Sequence, residues 1–137
     1  AIHFDQSTPR ILTKALCWLA TNNCQVINMS FAMARTSPAF NEVIELLDSQ
    51  GKIIVAAYAQ DVPYPHSLPG VIQVGMTGSP AKVNTNGYLP RVLVSPKAGN
   101  LQGSSVATAI ISGVAACAKS FDPQIDRSLF LRHLQTG

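Results

Sequence analysis

The chain has 137 residues, a length that suits one compact domain. Hydrophobic residues make up 47% of it and charged residues only 12%, about half the usual share, which excludes a disordered chain and a solvated coiled coil. The formal charge is +3 and the ten Lys and Arg form no run, so we expect no nucleic-acid partner.

The start of the chain and its cysteines bear on processing and compartment. The opening AIHFDQSTPR lacks the pattern of an export leader, no apolar run reaches about 18 residues, and we expect no membrane span. The first residue is Ala1 rather than Met, which suggests a piece of a longer protein. Cys17, Cys24 and Cys117 lack the spacing of a disulfide framework or a zinc site. As reduced, mostly buried thiols they favour a cytoplasmic compartment.

Short β-rich runs alternate with helical stretches in the first half of the chain. AIHF is a candidate strand, Thr8 and Pro9 predict a helix start, and QVINMS is the next strand. Ser37 and Pro38 start a second amphipathic helix, Gly51 ends it, and KIIVAA follows as a strand apolar on both faces. The first helix is expected to pack through one apolar face that comprises Ile11, Ala15, Trp18 and Leu19.

The second half continues the alternation after a proline-rich segment. DVPYPHSLPG predicts an ordered irregular surface loop, VIQVG a strand, and RVLVSP another strand. The stretch from Ser104 to Ser120 is small and apolar, so we expect a helix buried on nearly every side. Asp126 predicts the cap of a last helix, whose packing residues are Leu129, Phe130 and Leu134. This order predicts an α/β fold with a parallel sheet in one domain, residues 1–137.

One motif carries possible chemistry. Phosphate-loop, dinucleotide and zincin motifs are absent, so we expect no cofactor and no metal. Gly103 and two serines, Ser104 and Ser105, stand where a loop meets the predicted core helix. A serine there lies in the positive field of a helix amino terminus, which stabilises an oxyanion. The alternative is that either serine is only an N-cap.

The chain resembles the second half of subtilisin-like serine peptidases over essentially its whole length. QVINMSFA, KIIVAA, LPGVIQVG, SPKAG and GSSVATAIISG follow one another in the order and spacing of that family. The serine motif is the most specific piece, because Gly103, Ser105, Ala107 and Gly113 keep the family register. The resemblance implies part of a three-layer subtilisin-like fold, with a parallel sheet and helices on both of its faces.

The resemblance also implies the site. Ser105 takes the position of the nucleophile, and Gln60 takes that of the oxyanion-hole asparagine. A polypeptide substrate is expected to pair with one segment and to fill a pocket walled by another. These substrate-binding residues are Ser30, Phe31 and Ala32, followed by Ala57, Tyr58 and Ala59.

Three features depart from the family. Gln60 replaces Asn, and Tyr58 and Ala59 stand where the family pattern has a small residue and a glycine, which is expected to narrow the pocket. Ala109 and Ile110 replace the Pro-His that follows the family's serine. The Asp and His motifs of the triad are also missing, since in the family they precede the point where this chain begins. The three histidines are expected to have surface or packing roles rather than to serve as the base, and they are His3, His66 and His133.

Two functions stay open. The first is a serine endopeptidase whose Asp and His lie on an N-terminal segment or on another chain, so that this chain alone is inactive. The second is a catalytically degenerate module that binds peptides or serves in assembly. A nucleotide-binding or flavodoxin-like domain lacks its phosphate loop here, and an α/β-hydrolase elbow lacks its last glycine, since Ala107 stands there.

Overall fold

The computed structural model describes residues 8–76, 92–94 and 103–136, and the candidate strand AIHF lies outside them. The described strands are β1 (Val26–Met29), β2 (Ile53–Ala57), β3 (Val71–Met76) and β4 (Val92–Val94). They form one sheet in the order β1-β2-β3-β4, with every neighbouring pair parallel. This confirms the predicted parallel sheet.

Helices α1 (Thr8–Thr21) and α2 (Pro38–Ser49) cover one face of the sheet. The start of α2 is as predicted, because Ser37 Oγ accepts a hydrogen bond from Phe40 N at 3.2 Å and Pro38 opens the first turn. Gly51 follows its end with φ of 77°, a left-handed conformation that suits glycine. The core on this face includes Phe40, Ile44, Leu47 and Ile54, all at most 1% exposed.

Helices α3 (Ser104–Phe121) and α4 (Arg127–Thr136) cover the other face. Asp126 caps α4 as predicted, accepting a hydrogen bond from Leu129 N at 2.8 Å. Phe130 is buried, and Leu129 and Leu134 pack against the same core. Helices on both faces give the three layers of the predicted fold class.

The expected orientation of α1 is wrong. Ile11 and Trp18 are 63% and 64% exposed, and Ala15 is exposed as well. The helix instead buries Leu16, with Leu12 and Ala20 packed against the core, and of the four expected residues only Leu19 packs there as well. The helix lies on the same face of the sheet as α2. The helix carries two apolar sides, and packing against α2 selects the other one.

The expected burial of α3 is also wrong. Only one side of this helix is buried, and on the opposite side Val114 and Phe121 are 42% and 92% exposed. The buried residues are Ala107, Thr108, Ile111, Ala115 and Lys119. By length and composition α3 also meets the requirement for a membrane span, which corrects the expectation that no stretch does. This is weak support for a span, since core helices of water-soluble proteins meet it too.

The cysteines are free, but they are less buried than expected. Cys17 and Cys117 are exposed, and Cys24 is half-buried with its Sγ 3.2 Å from Val26 O. The two exposed thiols lie on α1 and α3, the helices that also expose Trp18 and Val114.

Gly70 fixes the start of β3. Its φ is 86°, and a Cβ added there lies 3.0 Å from Asp48 Cβ. The Asp48 carboxylate accepts two hydrogen bonds from Arg127, at 2.9 Å from Nε and 3.2 Å from Nη2. The turn into β3 thus packs directly on an ion pair that links the end of α2 to the start of α4.

Candidate active site

Ser105 lies in the first turn of α3 and its side chain is exposed. Gly103 holds the N-cap position with φ of 124°, so neither serine is the N-cap and that alternative is wrong. The amides of Val106 and Ala107 both donate to Gly103 O at 3.1 Å. The amides of Ser104 and Ser105 come before these and have no partner within the helix.

Polar side chains connect α3 to the end of β1. Ser112 Oγ donates to Asn28 Oδ1 at 2.9 Å, and Asn28 Nδ2 donates to Ser30 Oγ at 2.9 Å. Ser30 Oγ in turn donates to the carbonyl oxygen of Ser105 at 3.4 Å, a long hydrogen bond. This connection places the start of α3 beside Ser30, at the carboxyl end of β1.

The residues after β2 lie at the same edge of the sheet. Strands β1 and β2 are parallel neighbours with Met29 opposite Ala56, so their carboxyl ends meet there. Ala57 is buried, Tyr58 N donates to Val74 O at 2.9 Å, and Gln60 is exposed just beyond. Of the predicted site residues, the structure therefore brings Ser30 and Ser105 into contact, and Ala57 and Tyr58 stand at the end of the neighbouring strand. Phe31 and Ala32 are half-buried after Ser30.

Comparison with known proteins finds proteins that are similar to this chain in sequence and in structure. A thermostable alkaline protease of Halalkalibacterium halodurans is 30% identical over 125 residues, which cover 77% of this chain and 34% of that protein. The structure of the prenylagaramide maturation protease PagA matches with a TM-score of 0.64 at 25% identity, over 82% of this chain and 50% of that one. The chain is related to the subtilisin-like serine peptidases and has their fold.

Another solved structure has the same fold. All of these matches cover only part of the length of the relatives. Sphericase matches with a TM-score of 0.65 at 19% identity, over 93% of this chain and 53% of its own. No protein-family model matches the chain. The chain spans about a third of the curated relative and about half of these solved subtilisin-like structures.

His66 holds the loop that carries Gln60. Its Nε2 lies 3.0 Å from both Ala59 O and Val62 O, and its ring centroid lies 5.1 Å from that of Tyr58. Carbonyl oxygens only accept, so these contacts assign the proton to Nε2. The residue is 1% exposed, which corrects the expectation of a loop lying wholly on the surface. A lone histidine among prolines gave no sequence signal for this role.

The environment of His66 favours its neutral form. Burial lowers the pKa of His66 from 6.5, and the hydrogen bonds to the Val62 and Ala59 carbonyls oppose this only in part. Its Nδ1 is buried without a hydrogen-bond partner in the described part of the chain. With Nε2 bound to carbonyl oxygens and Nδ1 enclosed, neither nitrogen is available as a base.

The remaining groups give Ser105 no base within residues 8–76, 92–94 and 103–136. His133 is exposed near the end of α4, and Ser105 Oγ forms no hydrogen bond in these ranges. His3 lies outside the described residues. The same ranges contain no group of three His, Cys, Asp or Glu side chains able to hold a metal ion.

Proposed function

We propose that the chain supplies the nucleophile of a subtilisin-like serine endopeptidase and that the triad's Asp and His come from a segment outside residues 1–137. The observation that carries the proposal is the position of Ser105. It is exposed in the first turn of α3, its amide has no partner within the helix, and Ser30 ties it to the carboxyl end of β1. The protease names of the relatives support the same activity.

The reaction follows from these positions. Ser105 Oγ attacks the carbonyl carbon of a peptide bond while an imidazole from the other segment accepts its proton. The resulting oxyanion receives hydrogen bonds from the Ser105 amide and the Gln60 side chain. The C–N bond then breaks, the amine leaves with the proton from the imidazolium, and water hydrolyses the acyl-enzyme.

Gln60 offers the amide donor that this step requires. Its stem is one methylene longer than that of asparagine, so its loop must lie further from the oxyanion for the same donor distance of about 2.7–3.1 Å. The hydrogen bonds of His66 to Ala59 O and Val62 O fix the loop on both sides of Gln60. We infer that this anchoring offsets the longer side chain.

The substrate lies between the ends of β1 and β2. Ser30, Phe31 and Ala32 pair with its backbone, and Ala57, Tyr58 and Ala59 form the wall of the pocket beside the scissile bond. Support comes from the register of the two strands, which sets these segments side by side. It also comes from Met33, whose two backbone hydrogen bonds to Tyr64 hold the first segment in place.

Uncovered surfaces on α1, α3 and β1 support the proposal that the same domain includes a further segment. Among the described strands β1 has one neighbour only, so its other edge is open. Trp18 and Val114 expose apolar surface on helices from opposite faces of the sheet. A segment that completes the sheet and carries the missing Asp and His covers such surfaces.

A degenerate peptide-binding module is the second candidate. Tyr58 and Gln60 stand where the family pattern has a small residue and Asn, and Ala109 and Ile110 replace its Pro-His. These changes leave α3 and the strand ends intact, so a peptide is still accommodated. Gln60 bears on transition-state stabilisation, whereas Tyr58 changes the wall of the pocket and therefore the side chains that fit it.

Labelling with a fluorophosphonate separates the two functions. Such reagents modify a serine that an imidazole activates and leave an ordinary hydroxyl untouched. We expect no labelling of the chain alone, and labelling at Ser105 once a segment with the family's Asp and His motifs is supplied, fused or separate. Ser105→Ala then abolishes the modification, and Ser104→Ala, the matched control, retains it.

The same assembly reports on the oxyanion site. We expect Gln60→Ala to lower turnover by roughly 10²-fold or more, whereas Gln25→Ala, an exposed glutamine before β1, leaves it unchanged. An assembly that binds extended peptides but never labels at Ser105 contradicts the peptidase function and supports the binding module.

A further inference from the structure

A cavity of about 780 Å³ opens beside the predicted peptide-binding segment. It lies between the first turns of α1 and the residues that lead into α2. Its walls include Thr8, Arg10, Lys14, Met33, Arg35 and Ser37. The cavity does not include Ser105 or Gln60, so it is separate from the site of bond cleavage.

The walls of the cavity are positively charged. Arg10, Lys14 and Arg35 are exposed, and within the described ranges none of them forms an ion pair, unlike Arg127, which binds Asp48. No Asp or Glu is among the described lining residues. Three cations of like sign around one cavity repel one another, and an anion placed between them relieves that repulsion.

The hydroxyl groups of the cavity are already engaged. Thr13 Oγ1 donates to Pro9 O at 2.6 Å, and Thr36 Oγ1 donates to Asn41 Oδ1 at 2.8 Å. Ser37 Oγ accepts from Phe40 N as the N-cap of α2. Recognition of a ligand in this cavity therefore depends mainly on the guanidinium and ammonium groups.

The position of the cavity indicates what reaches it. Met33 directly follows Ala32, and its N and O pair with Tyr64 O and N at 2.6 and 3.1 Å. This bridge fixes the point at which the predicted peptide-binding segment, Ser30 to Ala32, becomes a wall of the cavity. A peptide that extends along this segment passes the mouth of the cavity.

We propose that the cavity binds an acidic side chain of an extended peptide, so that the protein prefers substrates with Glu or Asp at one position. The inference rests on the proposed function for the path of the peptide. Arginine matches a carboxylate with two parallel hydrogen bonds, which suits Arg10 and Arg35. Because the three cations are exposed, the preference is modest and weakens with added salt.

Peptide binding tests this proposal without requiring catalysis. Short uncharged peptides carry one Glu, or one Gln, moved through successive positions, and fluorescence anisotropy measures their affinity for the Ser105→Ala chain. We expect Glu to bind several-fold tighter than Gln at one position only. The double variant Arg10→Ala/Arg35→Ala removes that difference, and Arg132→Ala on α4, across the sheet, retains it.

Several outcomes overturn the proposal. They are equal binding of Glu and Gln peptides at every position, an unchanged preference in the double variant, and absence of binding by either peptide. Competition by an oligonucleotide as strong as that by the Glu peptide overturns it as well, because the cavity is then a general anion site. Failure of the proposed function shows elsewhere, as lack of labelling at Ser105, and leaves a measured Glu preference standing.

Discussion

In its neutral form, the imidazole of His66 holds the turn that carries Gln60. Its Nε2–H donates to Ala59 O and Val62 O, while Nδ1 is enclosed without an acceptor. Protonation places a second N–H, with a positive charge, in that enclosed position. The free-energy cost of a buried donor without an acceptor opposes this protonation.

This environment predicts a pH dependence of stability. The pKa of His66 lies below 6.5 in the folded protein, so the unfolded chain takes up its proton first as the pH falls. The contribution of His66 to the free energy of unfolding is therefore complete above pH about 6.5 and is lost as the pH falls through the folded pKa. Urea unfolding between pH about 7.5 and 5 measures it.

The variant His66→Gln provides the comparison. Glutamine retains an N–H donor for the two carbonyls and does not titrate, so we expect a shallower loss of stability towards low pH. His133→Gln, at an exposed position on α4, is expected to keep the wild-type profile. Identical profiles for wild type and His66→Gln contradict this role of the imidazole.

The sequence predicted the candidate serine, but it did not predict the side chains that connect this serine to β1. The resemblance indicated Ser105 and Ser30, and the structure brings these two residues together. The chain of hydrogen bonds through Asn28 and Ser112 was missed, because a polar residue on a strand and a serine on a helix have the pattern of ordinary surface positions. The predicted approach of Gln60 to Ser105 stays a prediction.

The turn that leads into β3 depends on Gly70. Its φ of 86° lies in the left-handed region, and an added Cβ meets Asp48, which is bound to Arg127. We expect Gly70→Ala to lower the free energy of unfolding by about 1–3 kcal/mol, because the backbone strain adds to a displaced ion pair. Chemical denaturation measures the change.

Gly113 is the matched control for this substitution. It lies within α3, and an added Cβ meets nothing within 4 Å. Since alanine favours helix over glycine by about 1 kcal/mol, Gly113→Ala is expected to leave stability unchanged or raise it. Equal effects of the two substitutions contradict the importance of the Gly70 conformation.

Local sequence signals predicted which helices and strands form. The face that each helix turns to the core depended on the elements packed against it. Ser37, Pro38 and Gly51 marked both ends of α2 because each acts on the adjacent backbone. The predicted packing face of α1 was wrong, because Ile11 and Leu12 start two different apolar rows and only contact with α2 selects one of them. The burial of α3 was overestimated because its composition permits burial but does not supply a covering layer.

Among the described strands β1 has a neighbour on one side only, and α1 and α3 expose apolar side chains to solvent. Parallel sheets are normally covered on both faces, and the chain aligns with about half of each of the two solved structures. Under the proposed function, the described elements supply the nucleophile, the amide donor and the peptide-binding segments. They contain no available base, so that function requires a further segment.

Hydrolysis of labelled casein tests this dependence most directly. We expect no turnover from the chain alone and turnover when a segment with the family's Asp and His motifs is supplied. In that assembly Ser105→Ala lowers kcat by about 10⁶-fold, and Ser104→Ala retains most of the activity. Turnover by the chain alone that vanishes in Ser105→Ala, or full activity of the Ser105→Ala assembly, contradicts the proposed division of the catalytic groups.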